Sequence, residues 1–352
     1  MRTLARVLSV ATANPPYGLD QNDVMKRVEA QFSNEAIVQR LLPVFVSTGI
    51  DRRFSCVPIE WYYETHGWSD RNRIYLDSAV ALLSEAAERA LLRAGRTIED
   101  VDTIVVVSTT GIATPSLDAL LMERLPFKRT VQRLPIFGLG CVGGAVGLAR
   151  AATLASADPG STVLFLVVEL CALSFRRDDL TKSNIVATAL FGDGAAAAIL
   201  STNGDGPAVV GSGEYTFPDT LDVMGWDVAS DGLKAIFSRD IPQLIETRLR
   251  GVVEEYLSKH DLRLSDIDTV LPHPGGTKVL DALEAAFGLE PGSLVDSRAV
   301  LRDYGNMSAA TLLFVLERAM SDGALHNGAW RRALLAAMGP GFTSAFVTLE
   351  RS

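Results

Sequence analysis

Three residues of this 352-residue chain have types and settings suited to nucleophilic chemistry: Cys141, His273 and Asn306. Cys141 follows an apolar run ending in Gly138-Leu139-Gly140 and precedes Val142-Gly143-Gly144, the head of a small-residue stretch with a helical pattern. A sulfur at a helix start faces unpaired N–H groups and the positive end of the helix dipole, and both favour an anion. The thiolate is the nucleophilic form, and flanking glycines allow a tight turn and close substrate approach. The setting predicts a lowered thiol pKa at Cys141. Cys56 and Cys171 lack it and read as small buried hydrophobes. His273, in Leu271-Pro272-His273-Pro274-Gly275-Gly276, ends a strand-like run, and the prolines and glycines fix a loop where α/β folds place their sites. His66, His260 and His326 have no comparable setting and read as structural. Asn306, in Tyr304-Gly305-Asn306-Met307-Ser308, reads as the start of a helix, where it is either a cap or an amide donor.

The elements that must position these residues alternate. Strand-like runs at 103–108, 162–168, 195–200, 333–337 and 343–349 are interleaved with helix-like stretches at 76–94, 144–157, 242–259 and 309–320, which predicts an α/β chain with a first strand inside residues 1–13. An internal repeat divides it. Ile98-Glu99-Asp100-Val101-Asp102-Thr103-Ile104 returns 166 residues later as Leu264-Ser265-Asp266-Ile267-Asp268-Thr269-Val270. Cys141 and Asn306 follow these copies at almost equal distances, and Gly192-Asp193-Gly194 is echoed by Gly339-Pro340-Gly341. The order of the echoes predicts two pseudo-twofold-related halves, 1–210 carrying the cysteine and 211–352 carrying the histidine and asparagine. The symmetry would bring all three side chains into one cleft.

The composition excludes several partners. A net charge of -9 and the absence of a long Lys/Arg run argue against nucleic acid. Three cysteines do not make a disulfide framework, so a cytoplasmic location is expected. No run of about 18 uninterrupted apolar residues is present, so no membrane span is expected. One alternative of another class stays open. Gly138, Gly140 and Gly143 spell a dinucleotide fingerprint, which would suit an NAD-dependent oxidoreductase, although the acidic candidates Asp158 and Glu169 sit imperfectly for it.

Taken together, Gly140-Cys141-Val142-Gly143-Gly144, Phe191-Gly192-Asp193-Gly194, His273-Pro274-Gly275-Gly276, Tyr304-Gly305-Asn306-Met307-Ser308 and Gly339-Pro340-Gly341 resemble type III polyketide synthases, the chalcone synthase-like family, over essentially the whole chain. A ketoacyl-ACP synthase III shares Cys, His and Asn but sets its histidine in another context, and is the second choice. The resemblance implies a thiolase-like fold with a layered αβαβα core, a homodimer, and catalysis by Cys141, His273 and Asn306 on acyl-CoA and malonyl-CoA, coenzyme A thioesters that serve as substrates with no further cofactor. It also implies that Phe191 is a gatekeeper between the coenzyme A tunnel and the cavity. Thr109, Ser174, Ser308, Gly339 and Pro340 would line that cavity. The basic clamp of plant members is reduced here, because Leu42 to Ser47 is uncharged; Arg40 or Lys278 would take the phosphates, or an acyl-carrier protein would deliver the acyl group. The interface methionine of plant members aligns with Thr114. Ala235 replaces a second gatekeeper phenylalanine, which predicts a longer pocket. Glu169-Leu170-Cys171 resembles the bacterial alkylpyrone and alkylresorcinol synthases, which implies a medium-to-long fatty acyl starter and an alkylpyrone or resorcinol product.

Overall fold

The computed structural model describes residues 3–238, 240–321 and 330–351. Nine strands, β1 (Arg6–Ala13), β2 (Val101–Val107), β3 (Gln132–Ile136), β4 (Thr162–Leu170), β5 (Asp193–Ser201), β6 (Ala208–Thr216), β7 (Thr269–Pro272), β8 (Arg332–Gly339) and β9 (Thr343–Glu350), join in the order β7-β8-β9-β6-β1-β5-β4-β2-β3. The junction of β1 and β6, at Arg6 opposite Ala208, is a point of symmetry. Outward from it each side runs antiparallel, antiparallel, then parallel: β1-β5-β4-β2 on one side and β6-β9-β8-β7 on the other. Strand β3 extends only the first side. Every residue of β4 and β5 is buried, as expected for strands covered by helices on both faces.

Three apolar clusters define the layers. The central one packs α2 (Gly143–Ala157) and α6 (Ala309–Met320) between the two arms of the sheet, joining Val107 and Phe165 of one arm to Leu335 and Val347 of the other. An outer cluster sets α1 (Trp68–Arg93) against β2, β4 and β5. The other outer cluster sets α3 (Arg250–Ser258), α4 (Thr277–Phe287) and α5 (Val295–Tyr304) against β8 and β9. The result is the αβαβα arrangement. Small residues make the centre possible: a Cβ at Gly144 would run into the Ala309 carbonyl oxygen, and one at Gly147 into the Phe165 ring.

Among the described residues one helical stretch, Gly140–Ala157, is by length and composition apolar enough to cross a membrane, although Arg150 interrupts its apolar run. It is 67% buried in this central layer, and its hydropathy serves the core. The stretch read as one helix over 242–259 is Ile241–Leu244, a five-residue π-helical turn Ile245–Leu249, and Arg250–Ser258.

Candidate active site

Cys141 occupies a tight turn, Gly140–Val142, that runs straight into α2. Gly140 holds φ 49°, and a Cβ there would come within 2.7 Å of Pro340. From the other side, a Cβ at Gly339 would lie 2.6 Å from the Leu139 carbonyl oxygen. The Gly339-Pro340 loop after β8 is thus moulded onto the nucleophile turn, which only glycines permit. The same contacts dispose of the dinucleotide alternative, because Gly140 and Gly143 face Pro340 and Val107 rather than an open crevice. Thr109 braces the turn: its Oγ1 accepts from Gly140 N–H at 3.0 Å, and its own N–H donates to Glu169 at 3.1 Å.

His273 arrives from β7. Pro272 pairs with Ala336 on β8, and the His273 N–H donates to the Ala336 carbonyl at 2.8 Å. The ring is 5% exposed, yet neither Nδ1 nor Nε2 has a hydrogen-bond partner among the described residues. Asn306 is not a helix cap, as its place before α6 had suggested. It bridges Phe191 as an isolated strand pair, donating its N–H to Leu190 at 2.8 Å and accepting from Gly192 at 3.0 Å. The helix begins three residues later at Ala309. Asn306 Oδ1 accepts the Ser308 N–H at 2.8 Å, which fixes the amide, while Nδ2 makes only a long 3.4 Å contact to the Gly275 carbonyl. Ser308 holds φ 48°, a strained value for serine, and its hydroxyl hydrogen-bonds Cys141. Contacts therefore run from Cys141 through Ser308 and Asn306 to the His273 loop.

Electrostatics overturn one expectation. Burial pushes the Cys141 thiol up to about 12, and the Ser308 hydroxyl only partly opposes it, so the helix start does not produce a resting thiolate. Burial likewise lowers His273 to about 4. Both effects favour the uncharged thiol and imidazole, leaving His273 as a neutral base. A base is lost when protonated, so kcat/KM should fall on the acid side with a midpoint near 4 rather than at the ordinary histidine value. A midpoint above 6 in the pH–rate profile would remove His273 from this role. Glu169, wholly buried behind the turn, is raised to about 7 by desolvation.

The other sequence candidates divide. Phe191 lies beside Asn306 and packs on Trp226 and Phe237, with ring centroids 5.6 and 5.7 Å apart. These two aromatics escaped sequence reading. Ala235 is paired with Trp226 across the hairpin Met224–Ala229/Gly232–Phe237, and Trp226 packs against the apolar cluster that holds Ala235 and Phe191. Alternation in the hairpin was the available signal, but it could not give the register. Ser174 donates to the Cys171 carbonyl at 2.7 Å and borders a cavity of about 70 Å³ with Leu19, Val24, Val28, Tyr62 and Phe191. Cys171 lines that cavity and lies close enough to Cys141 for their charges to interact. Arg40 and Lys278 are exposed. His66 stacks on Trp61 at 3.8 Å and His260 packs on Tyr256, both structural roles; His326 lies outside the described residues.

The chain is similar to known proteins along its length. The N-terminal domain of chalcone and stilbene synthases matches residues 2–204 and the C-terminal domain matches 209–351. A putative chalcone synthase of Bacillus subtilis (strain 168) is 40% identical, with 97% of each chain covered. A 1,3,6,8-tetrahydroxynaphthalene synthase of Streptomyces peucetius subsp. caesius is 38% identical over 98% of this chain and 92% of its own. The crystal structure of the tetrahydroxynaphthalene synthase from Streptomyces coelicolor A3(2), a bacterial type III polyketide synthase, superposes with a TM-score of 0.93 at 29% identity over 99% of both chains. The moulded cysteine turn, the open imidazole and the matches along the full chain lead to one assignment: the protein belongs to the chalcone and stilbene synthase family, and is a type III polyketide synthase, an acyltransferase on the thiolase-like fold.

Proposed function

We propose that this enzyme loads an acyl-CoA starter onto Cys141 and extends it with malonyl-CoA by decarboxylative Claisen condensation. One observation carries the reading: both imidazole nitrogens of His273 are buried without partners among the described residues, in the loop whose Gly275 carbonyl meets a loosely held Asn306 amide, and Ser308 links that Asn306 to Cys141. Buried polar atoms are normally satisfied, so a partnerless pair in an apolar core marks where a carbonyl belongs. In loading, His273 takes the Sγ proton as sulfur attacks the acyl carbonyl, and passes it to the departing coenzyme A thiol. In extension, the malonyl carbon–carboxylate bond breaks, carbon dioxide leaves, and the enolate oxygen meets donors from His273 and Asn306. The enolate carbon attacks the acyl group and returns the electrons to Cys141. In this scheme residues 1–210 supply the nucleophile and 211–352 the two donors.

The starter we propose is a medium-to-long fatty acyl group, giving an alkylpyrone or, less favoured, a resorcinol. The support is the cavity beside Cys171, walled by leucine, valine and aromatic side chains. Its lining includes Arg27 and Tyr63, both partly exposed, so an alkyl chain longer than the enclosed space could continue outward there. Each buried methylene is worth about 0.8 kcal/mol, so preference should climb with length. A second reading, an aromatic product with no alkyl arm, is favoured by the likeness to the tetrahydroxynaphthalene synthase of Streptomyces peucetius. Arg40 and Lys278 are proposed to hold the coenzyme A phosphates, because Thr277 beside Lys278 donates to the Thr48 carbonyl at 2.7 Å and ties the helix start of α4 to the Arg40 segment. A carrier protein is the alternative donor. A homodimer is proposed through the edge strand β3, where Leu134 and Phe137 are exposed. Competition among hexanoyl-, dodecanoyl- and 4-coumaroyl-CoA with malonyl-CoA tests the starter: dodecanoyl should win. Preference for coumaroyl, or undiminished product from malonyl-CoA alone, refutes the fatty starter.

A further inference from the structure

The short strand Arg52–Ser55, which pairs with Tyr17–Asp20, sends Arg53 inward. Only 2% of the residue is exposed, and its stem stands against both segments of the Phe191–Asn306 bridge. A Cβ on Gly192 would come within 3.2 Å of the Arg53 Cβ, and one on Gly305 within 3.4 Å of the same atom. Beyond the stem, Nη1 donates to the Phe191 carbonyl at 3.1 Å. That carbonyl lies between the two bonds of the bridge, Asn306 N–H to Leu190 and Gly192 N–H to Asn306. Arg53 therefore meets a segment of the first half and a segment of the second where they join. Nη2 has no hydrogen-bond partner among the described residues, and burial lowers Arg53 to about 10, opposed by Tyr62 and Asp193, so the group stays charged at neutral pH. Burying a charge for one hydrogen bond is unfavourable beside an apolar side chain of the same volume. An apolar residue would fill the space equally well, but it would not hold the Phe191 carbonyl.

We infer that Arg53 is a positioning residue for decarboxylation: by holding the Phe191 carbonyl and packing over Gly192 and Gly305, it fixes the backbone from which the Asn306 amide reaches the malonyl thioester. The other two catalytic side chains are held by different residues. Thr109 and Pro340 brace the Cys141 turn, and the Ala336 carbonyl takes the His273 N–H. Loss of Arg53 should therefore separate the two half-reactions. The inference rests on the reading that Asn306 Nδ2 serves the enolate.

The test follows carbon dioxide release from malonyl-CoA and loading of Cys141 from a saturating starter thioester, the latter by intact-protein mass spectrometry. Arg53→Met keeps the stem and removes the donor and the charge. A catalytic group misplaced by about 1 Å loses up to about a hundredfold, so release should fall about tenfold or more while loading stays within about twofold of wild type. Arg53→Lys keeps a charged donor without the planar fork and should fall between the two. It carries the test if the methionine variant fails to fold, with release slowed at least about threefold and loading unchanged. In an Asn306→Ala background, Arg53→Met should slow release by less than about twofold more, because the group that it positions is already gone. Tyr256→Phe removes a buried hydroxyl bonded to Thr348 in the outer cluster against β8 and β9, and should slow neither half-reaction. Four results overturn the inference: wild-type release from folded Arg53→Met, equal losses in loading and release, full additivity with Asn306→Ala, or the same split in Tyr256→Phe. If Asn306→Ala itself releases carbon dioxide at the wild-type rate, the reading of Asn306 fails and the inference with it; a slowed Asn306→Ala beside an unslowed Arg53→Met strikes the inference alone.

Discussion

Cys141→Ala should abolish condensation, with a loss of at least about a thousandfold, while carbon dioxide release from malonyl-CoA continues. The two half-reactions use different atoms. Acyl transfer needs Sγ, the one nucleophile carried on the turn that Gly140, Gly339 and Pro340 hold in place. Decarboxylation needs donors facing the malonyl thioester oxygen, and His273 and Asn306 keep theirs when the sulfur is removed. The substitution also leaves the surroundings intact, because the Ser308 hydroxyl loses only one weak partner and the backbone of the turn is unchanged. Intact-protein mass spectrometry after exposure to a starter thioester should show an acyl adduct on the wild type and none on the variant. An adduct that persists with condensation retained would move the nucleophile elsewhere. Cys171, fully buried and held well above an ordinary thiol by desolvation, is a poor substitute.

Asn306→Ala should show the converse pattern, loading starter onto Cys141 normally but releasing carbon dioxide at least about a hundredfold more slowly. The Nδ2 group is the only part of this side chain free to serve a ligand, since its 3.4 Å contact to the Gly275 carbonyl lies beyond good hydrogen-bond length. Oδ1 has a structural duty, accepting the Ser308 N–H at 2.8 Å, and losing that acceptor leaves a buried donor unmet at a cost of about 1–3 kcal/mol. The alanine variant should therefore also melt at a lower temperature. Asn306→Asp separates the two effects: it keeps an acceptor for Ser308 and removes the donor, so it should recover much of the stability and none of the decarboxylation. If Asn306→Asp released carbon dioxide at the wild-type rate, the amide would have no part in stabilising the enolate.

Much of the fold was legible in the residues. β4 and β5 read as strands because they are unbroken apolar runs, and they are unbroken because helices cover both faces. The echoes between the two halves fell at the ends of β2 and β7 and before α2 and α6, and the order of strand pairings on the two arms is the same. Glycine spacing pointed to the turn at Cys141, since close backbone approach leaves a mark that local sequence can show. The sequence therefore determined which elements form and which reactive side chains stand at their ends. What it could not determine depends on residues distant in the chain. The acidity of Cys141 turned on desolvation, in a turn packed against a loop about 200 residues away. Asn306 proved to be a bridge to Phe191 rather than a cap, because its partner is 115 positions earlier. The neighbours of Phe191 were decided by the register of one hairpin, which set Trp226 opposite Ala235. Such properties belong to the packing of surfaces, and a side chain's solvation and free volume exist only once its neighbours are in place.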